Sequence, residues 1–478
     1  MWRSARAARF SVIVDAEQYF EVARQALLHA RSRIMLVGWD FDARIVLSRG
    51  ERSDDGPERI GDFLYWLVER TPGLELYLLR WDIGAIKALF RGTTVLTVVK
   101  WMRHPRIHTK LDGHHPTGGS HHQKLLAIDD CFAFCGGIDM TGSRWDTREH
   151  RDDEPARRTP AGRPYSPWHD ATTALSGDAA AALGQLCRDR WQRATGETLQ
   201  PVTDAGLCWP EKLVPDLQDV MVGIARTIPQ MSDQEAITEI EQLFLQEIAA
   251  AERCVYIESQ YFASRRVAEA IARRLQEDAG PEFVIINPVK AEGWLQPLAM
   301  DTARARLMQA LGRLDRHGRL RMHHPFTAGG EAVYVHAKIM VVDDRLVRVG
   351  SANLNNRSMR LDSECDVVVD AADNGEGRVA ELAANLRNGL IGEHLGRTVE
   401  EVTATIDAKG GLIAAIETLR GGGQTLRPYE LPTLGEALKW MADSELLDPE
   451  GPEEVFEPLA RRGLFRRFRK RPSDGTVA

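Results

Sequence analysis

The sequence predicts an α/β fold in which one unit occurs twice, and two observations carry that expectation. The first is period. Short apolar runs of β type (RIMLVGW, LELYLLRW, KLLAIDDCFAFCGG, CVYIES, EFVIINP and KIMVVDDRLVRVGS) alternate with helical stretches such as AEQYFEVARQALLHARS and VAEAIARRLQED. Alternation of this kind implies helices layered on a sheet. The second is an internal repeat. RIMLVGWDF near residue 33 takes the position of CVYIESQYF near 254, LELYLLRWD parallels EFVIINPVK, and HQKLLAIDDCFAFCGGID parallels HAKIMVVDDRLVRVGSAN almost residue for residue.

The polar, Pro-containing stretch TGETLQPVTDAGLCWPEKLVPD, about 195 to 216, is the joint between the copies. It sets an N-terminal unit at 1–205 and a C-terminal unit at 206–400. Residues 148–167, REHRDDEPARRTPAGRPYSP, read as a long charged surface loop near the site of the first copy, in one reading a gate over it. Residues 401–478 read as a helical extension ending in FEPLARRGLFRRFRKRP, where Arg and Lys interleave with Leu464, Phe465 and Phe468. That end is either a basic amphipathic segment for anionic headgroups or a solvated tail.

A length of 478 residues with 43% hydrophobic content describes a folded globular chain. Its 61 Lys+Arg against 69 Asp+Glu give a formal charge of −8, which disfavours a dedicated nucleic-acid binder, because such proteins present a basic field. Cys131, Cys135, Cys187, Cys208, Cys254 and Cys365 show no paired spacing, so reduced thiols in a cytoplasmic protein are expected, with Cys131 and Cys135 packed in a core strand. No run of about 18 apolar residues and no signal-peptide core is present. A lipid substrate would then be reached from the aqueous side, by a peripheral protein at the inner membrane face.

Each copy carries a His, a Lys two residues on, and an Asp five residues after the Lys: His122, Lys124 and Asp129, then His336, Lys338 and Asp343. On a strand, residues two apart share a face, so imidazole and ammonium project into one cleft. Two such corners brought face to face surround a phosphodiester with two cations and two imidazoles. The ammonium groups offset charge on the non-bridging oxygens while one ring attacks phosphorus and the other protonates the leaving oxygen. Neither step requires a metal. An unperturbed pKa of about 6.5 lets one ring be neutral and the other protonated near neutral pH. A lone HxK is most often a surface pair, but recurrence at matching positions, each followed by a Gly-rich segment (Gly136 and Gly137; Gly350 and Ser351), argues against chance. Within this constellation Asp129 and Asp343 stand in DD dipeptides at strand ends and read as turn and hydrogen-bonding groups rather than acids.

The segment HPRIHTKLDGHHPTGGSHHQK, with His104, His108, His114, His115, His121 and His122, raises a zinc site. No HExxH pattern or Cys partner accompanies it, so no metal is expected there. Trp81, Trp101, Trp145, Trp168 and Trp294 lie near the motifs and supply candidates for an apolar wall, core packing being the default for each.

HQKLLAID and HAKIMVVD followed by GSANLNNRSM resemble the twin HxKxxxxD motifs of the phospholipase D superfamily, from about residue 10 to about 395. GGID with RWD, PWHD at 167–170 and YIESQYF at 256–262 are similar to the eukaryotic-type members. The resemblance implies a duplicated α/β/α sandwich, two pseudo-twofold-related domains with the active site at their interface, and a phosphohistidine intermediate with no cofactor. It implies His122 as nucleophile and His336 as general acid, then base. It makes Asp170 and Glu364 the carboxylates that orient the two rings, without saying which serves which. Asn353, Ser351, Asp139 and Gln260 become substrate-binding candidates, Gly137 and Asp139 standing where a Ser and an Asn are usual, as in the eukaryotic-type relatives.

The expected function is therefore a phospholipase D hydrolysing glycerophospholipids, or transphosphatidylating them when an alcohol replaces water, with both half-sites in one monomeric chain. Alternatives are a cardiolipin synthase-like phosphatidyltransferase, a nuclease or other phosphodiesterase, and a lipid-binding scaffold. Complete motifs in both halves weigh against the last.

Overall fold

The computed structural model describes residues 1–50, 54–82, 94–203, 209–291 and 296–431. The first copy supplies β1 (Arg3–Val14), β2 (Arg33–Gly38), β3 (Glu75–Trp81), β4 (Ile107–Asp112), β5 (Leu125–Ile128), β6 (Phe132–Gly136), β7 (Trp168–His169) and β8 (Ala171–Gly177). The second supplies β9 (Leu217–Ile228), β10 (Ile237–Thr238), β11 (Cys254–Glu258), β12 (Glu282–Ile286), β13 (Leu320–Phe326), β14 (Tyr334–Val335), β15 (Ile339–Val342), β16 (Leu346–Gly350) and β17 (Glu364–Asp370), followed by β18 (Thr425–Pro428). Read outward from the centre, β9–β17–β16–β15–β11–β12–β13 repeats β1–β8–β6–β5–β2–β3–β4. The two series join through β1 and β9, antiparallel from Arg3↔Ile224 to Phe10↔Leu217. The duplication is therefore a single continuous sheet with a pseudo-twofold axis between its two first strands.

Both faces of that sheet are covered, which is why its inner strands read as unbroken apolar runs: every residue of LLAI in β5 and of IMVV in β15 is buried. In the first copy, helices Ala16–Leu28 and Ile60–Arg70 close one face over Ile34, Leu36 and Phe134, while helix Asp178–Thr195 closes the other over Met35, Val37 and Cys135. In the second, helices Glu239–Ala250 and Arg265–Leu275 cover Val255, Ile257 and Met340, and helix Glu376–Leu395 covers Tyr256, Ile339 and Val349. Each fully buried aliphatic side chain of this kind contributes roughly 1.5–3 kcal/mol. The result is an α/β/α sandwich.

The extension expected from 401 begins as part of the second copy. Helix Val399–Lys409 starts on a capping box between Thr398 and Glu401, helix Leu412–Leu419 follows, and β18 then adds an antiparallel edge strand to β13. The basic tail with Leu464, Phe465 and Phe468 lies outside the described residues, as do Cys208 and Trp294. Among the described residues no helix is long and apolar enough to cross a membrane. Cys135, Cys187, Cys254 and Cys365 are free and buried, whereas Cys131 is disulfide-bonded, which corrects the expectation of reduced thiols throughout.

Candidate active site

Both HxK segments lie just ahead of a strand, β5 starting at Leu125 and β15 at Ile339, rather than within it, which departs from the strand placement that the spacing argued. Backbone bonds fix each segment to the opposite copy. The His122 N–H donates to Ser363 O at 2.9 Å, and the Ser363 N–H to Ser120 O at 2.9 Å. On the other side β14 pairs in parallel with β7, Tyr334 opposite Trp168, and the His336 N–H donates to His169 O at 2.7 Å.

The side chains cross in the same way. His122 Nδ1 lies 3.0 Å from both carboxylate oxygens of Glu364 and 3.1 Å from Ser351 O, all from the second copy. His336 Nδ1 lies 2.6 Å from Asp170 Oδ2, from the first. A carboxylate on Nδ1 fixes the ring and leaves Nε2 for chemistry. Lys124 Nζ donates to His122 O at 2.8 Å and sits 3.3 Å from Asp139 Oδ2, and Lys338 Nζ donates to His336 O. The two half-sites act on one another: Lys338 disfavours a proton on His122, and Lys124 and His122 disfavour one on His336.

The electrostatics have one cause, a dry site already holding two ammonium groups. Burial first, then Lys124 and Lys338, pushes the His122 ring well below the ordinary histidine range. Burial, then Lys338, Arg144 and Lys124, does the same to His336. Burial pushes Lys338 down to about 7 against the pull of Asp170. It pushes Glu364 up to about 8 against Lys124, and raises Asp170 against Lys338. Burial and the neighbouring lysines thus push both rings toward the neutral form, and burial pushes Glu364 toward its protonated form.

Several candidates fall in different roles. Asp129 and Asp343, grouped above with the catalytic constellation, sit at the far end of the strands with φ of 50° and 53°. Asp129 accepts the backbone N–H groups of Arg31, Ser32 and Arg33 (2.7, 2.8 and 2.5 Å), and Asp343 those of Glu252, Arg253 and Cys254 (3.0, 2.7 and 2.8 Å). They brace the entry to β2 and β11 and touch no reacting group, as the turn reading expected. Ser351 is fully buried, its hydroxyl committed to Glu364, so it positions that carboxylate rather than substrate. Asp139 holds Lys124, and a carboxylate there cannot take the phosphate-binding part of an amide. Asn353 donates to Gln260 Oε1 at 3.4 Å, and Gln260 donates to the Tyr334 hydroxyl at 2.9 Å, so these two amides form one linked edge of the site. Gly137, where a Ser is usual, has a physical reason: a Cβ there would lie 2.2 Å from Asp170 Oδ1.

Sequence reasoning missed Arg144 and Tyr334. The Arg144 guanidinium lies 4.1 Å from the centroid of Trp168, whose ring is 5.2 Å from that of His336, and it adds positive potential to His336 and Lys338. Tyr334 stacks on Trp168 at 4.7 Å. The signals were present in RWD and in the residue two before His336, but only pairing of β7 with β14 brings them together. Also invisible beforehand was a single π turn, Arg357–Leu361, which carries Ser358 toward the Asn353 N–H at 3.1 Å.

Among the described residues the histidines of the His-rich segment form no three-ligand cluster, although His115 and His121 meet edge to face at 5.3 Å. His104 meets Glu69 at 2.6 Å, His115 meets Asp82 at 2.9 Å, His121 meets Asp112 at 3.1 Å, and His108 stacks on Tyr77. Of the tryptophans, Trp168 lies beside His336, Trp101 and Trp145 are core residues, and Trp81 stacks on Trp39 at 5.9 Å. The 148–167 loop is pinned rather than loosely solvated: Arg157 is buried against Asp146 at 3.2 Å, and Asp152 accepts the Gly329 N–H of the second copy at 2.8 Å.

Comparison with known proteins places the chain among relatives of one kind. The family model described as Phospholipase D matches residues 26–270, and that described as Cardiolipin synthase, PLD-like domain, matches residues 244–388. Phospholipase D A of Dictyostelium discoideum is 25% identical over 461 residues, covering 80% of this chain and 35% of that protein. Phospholipase D1 of Saccharomyces cerevisiae is 24% identical, covering 82% and 29%. Phospholipase D alpha 4 of Arabidopsis thaliana is 22% identical, covering 94% and 71%. The chain spans about a third of the length of the first two of these relatives. In fold it is similar to phosphatidylserine synthase of Haemophilus influenzae Rd KW20, with a TM-score of 0.54 and 14% identity over 87% of this chain and 96% of that one.

Proposed function

Because the chain belongs to the phospholipase D family, we propose that it cleaves the distal phosphodiester bond of glycerophospholipids through a phosphohistidine, working at a membrane surface from the aqueous side. The observation that supports this reading is the crossed pairing: both rings are held at Nδ1 by an acidic side chain of the other copy, which leaves each Nε2 free, and each half-site feels the charge of the other. His122 Nε2 attacks phosphorus as the bond to the headgroup oxygen breaks. His336 gives that oxygen its proton. His336 then takes a proton from water, or from an alcohol, whose oxygen displaces His122 and leaves phosphatidic acid or a new phosphodiester. The incoming phosphate offsets Lys124 and Lys338, so it restores to His336 the proton affinity needed for a general acid, while His122 attacks in its neutral form.

The test is incubation of the purified chain with phosphatidylcholine and ethanol, with and without chelator. Phosphatidylethanol in both arms supports the reading; cleavage confined to DNA would replace it with a nuclease, and no turnover on any phosphodiester would leave a lipid-binding scaffold. The match to the cardiolipin synthase-like model over the second copy favours one further reading, the same chemistry with phosphatidylglycerol as the acceptor alcohol. An arm containing phosphatidylglycerol alone, scored for cardiolipin, separates the two.

A further inference from the structure

Behind Asp170, away from the reacting face, four side chains from distant parts of the chain converge without any shared sequence motif. Asp15 follows β1, His150 lies in the 148–167 loop, His169 is in β7, and Glu393 is on helix Glu376–Leu395. One ligand atom from each lies within 4.8 Å of all the others. We infer that Asp15, His150, His169 and Glu393 form a binding site for one divalent transition-metal cation, zinc by its donor set, which braces the interface of the two copies.

The geometry supports this in three ways. His150 Nε2 is 3.5 Å from Asp15 Oδ2 and 3.2 Å from Glu393 Oε1, and His169 Nδ1 is 2.8 Å from Glu393 Oε1 and 3.3 Å from Asp15 Oδ1. A tetrahedral site with bonds of roughly 2.0–2.1 Å has ligand-to-ligand edges of about 3.3 Å, near the His–carboxylate separations here, with one ligand atom of each residue within 4.8 Å of the others. Second, Asp15 Oδ2 and His169 Nδ1 make no aligned hydrogen bond, although Asp15 is 1% and His169 0% exposed and His169 Nδ1 lies 2.8 Å from Glu393 Oε1. Two imidazoles with two carboxylates suit zinc or a neighbouring transition metal better than calcium or magnesium.

Third, each ligand has the outer partner that metal ligands usually have. The other nitrogen of His150 lies 3.1 Å from Asp146, that of His169 lies 2.7 Å from Glu258, and the second oxygen of Glu393 lies 2.6 Å from Arg148. Glu258 is itself bound by the Tyr256 hydroxyl at 2.6 Å and His394 at 2.9 Å. Around the cluster the acidic groups Asp15, Asp146, Glu258 and Glu393 outnumber the guanidinium groups of Arg148 and Arg157, an excess that a bound dication on neutral rings would offset, as would protons on His150, His169 or His394.

The cation does not reach phosphorus. It holds Asp15, whose Oδ1 accepts the Asp170 N–H at 3.0 Å, and His169, whose carbonyl accepts the His336 N–H at 2.7 Å, so it stiffens the carboxylate and the backbone that aim His336.

Metal content tests this directly and independently of lipid turnover. The full chain, expressed without a polyhistidine tag in zinc-supplemented cells and exchanged into metal-free buffer, is expected to carry about one zinc per chain by mass spectrometry. The metal should be lost in His150→Ala and in Glu393→Gln, and kept in His104→Ala, whose ring lies outside the cluster. Unfolding in chelator and refolding with cobalt should give the absorption bands of a tetrahedral ion. If His150→Ala does not fold, the wild-type stoichiometry and Glu393→Gln decide. Folded wild-type chain with metal at background, and a Tm that neither added zinc nor chelator moves, would overturn the proposal and assign the cluster to two protonated imidazoles.

Discussion

His122 Nδ1 and the carboxylate of Glu364 lie 3.0 Å apart although 242 residues separate them in sequence, and the reciprocal pair, His336 with Asp170, is 2.6 Å apart across 166. Each copy thus supplies the ring of one half-site and the orienting carboxylate of the other, so neither copy holds a complete half-site by itself. Replacing Glu364 by Gln, which offers an amide where a carboxylate fixes the tautomer, is expected to lower kcat by about 10²–10⁴-fold with little change in Tm. Asp170→Asn should do the same with a natural lipid. The two part company in the first turnover of a p-nitrophenyl phosphodiester, whose leaving group needs no proton: Asp170→Asn should recover most of its burst rate of p-nitrophenol release, its later turnover still slowed by the loss of the base, and Glu364→Gln should not. Equal losses on both substrates would refute the assignment of His122 as nucleophile and His336 as acid.

Anion binding should take up protons. Burial and the two lysines push both rings toward the neutral form beforehand, and burial holds Lys338 down to about 7. A bound phosphate or tungstate raises each of these affinities. Calorimetric titrations at pH 7.5 in two buffers of different ionisation enthalpy are expected to give different apparent enthalpies corresponding to net uptake. Release, or no difference, would contradict the electrostatic account. Affinity for the anion should also fall as pH rises through about 7 and Lys338 loses its charge.

Asp129 and Asp343 should behave as structural residues. Each accepts three backbone N–H groups, part-buried except for the buried Cys254 N–H, and a buried donor left without a partner costs roughly 1–3 kcal/mol. Asp129→Ala and Asp343→Ala are expected to lower Tm by several degrees while the folded fraction keeps kcat within a few-fold of wild type. A loss as large as that of His122→Ala, with Tm unchanged, would return them to the catalytic set.

A buried triad in the second copy sets a pH dependence of stability. One guanidinium, Arg348, faces two carboxylates, Glu247 at 3.4 Å and Asp366 at 3.8 Å. Burial, opposed by Arg348, raises Glu247 to about 7 and Asp366 to about 6, so the fold retains a proton that the unfolded chain releases near 4.3. Where the native state binds more protons, stability falls as pH rises. The contribution is therefore complete below about 4.3 and lost as pH rises through about 7, on the order of 3–4 kcal/mol for Glu247. Thermal unfolding of wild type and Glu247→Gln across pH 5 to 8 should show the variant gaining relative stability as pH rises; parallel curves would refute this.

The sequence by itself determined the layers and the chemistry. Period in RIMLVGW and KIMVVDD identified strands, the repeat of HQKLLAIDD in HAKIMVVDD identified the duplication, and HxK spacing identified His122, Lys124, His336 and Lys338, because all of these are local patterns of one or two residues in an extended chain. Only the tertiary structure decided which carboxylate serves which ring, that Ser351 and Asp139 position other side chains, that Arg144, Trp168 and Tyr334 join the site, and that Asp15, His150, His169 and Glu393 meet. These relationships arise from the antiparallel pairing of β1 with β9 and the cross-copy pairing of β7 with β14, which set residues more than a hundred positions apart side by side. A linear pattern carries no record of which distant segments share a strand edge, so it states the groups available and leaves their partners to the fold.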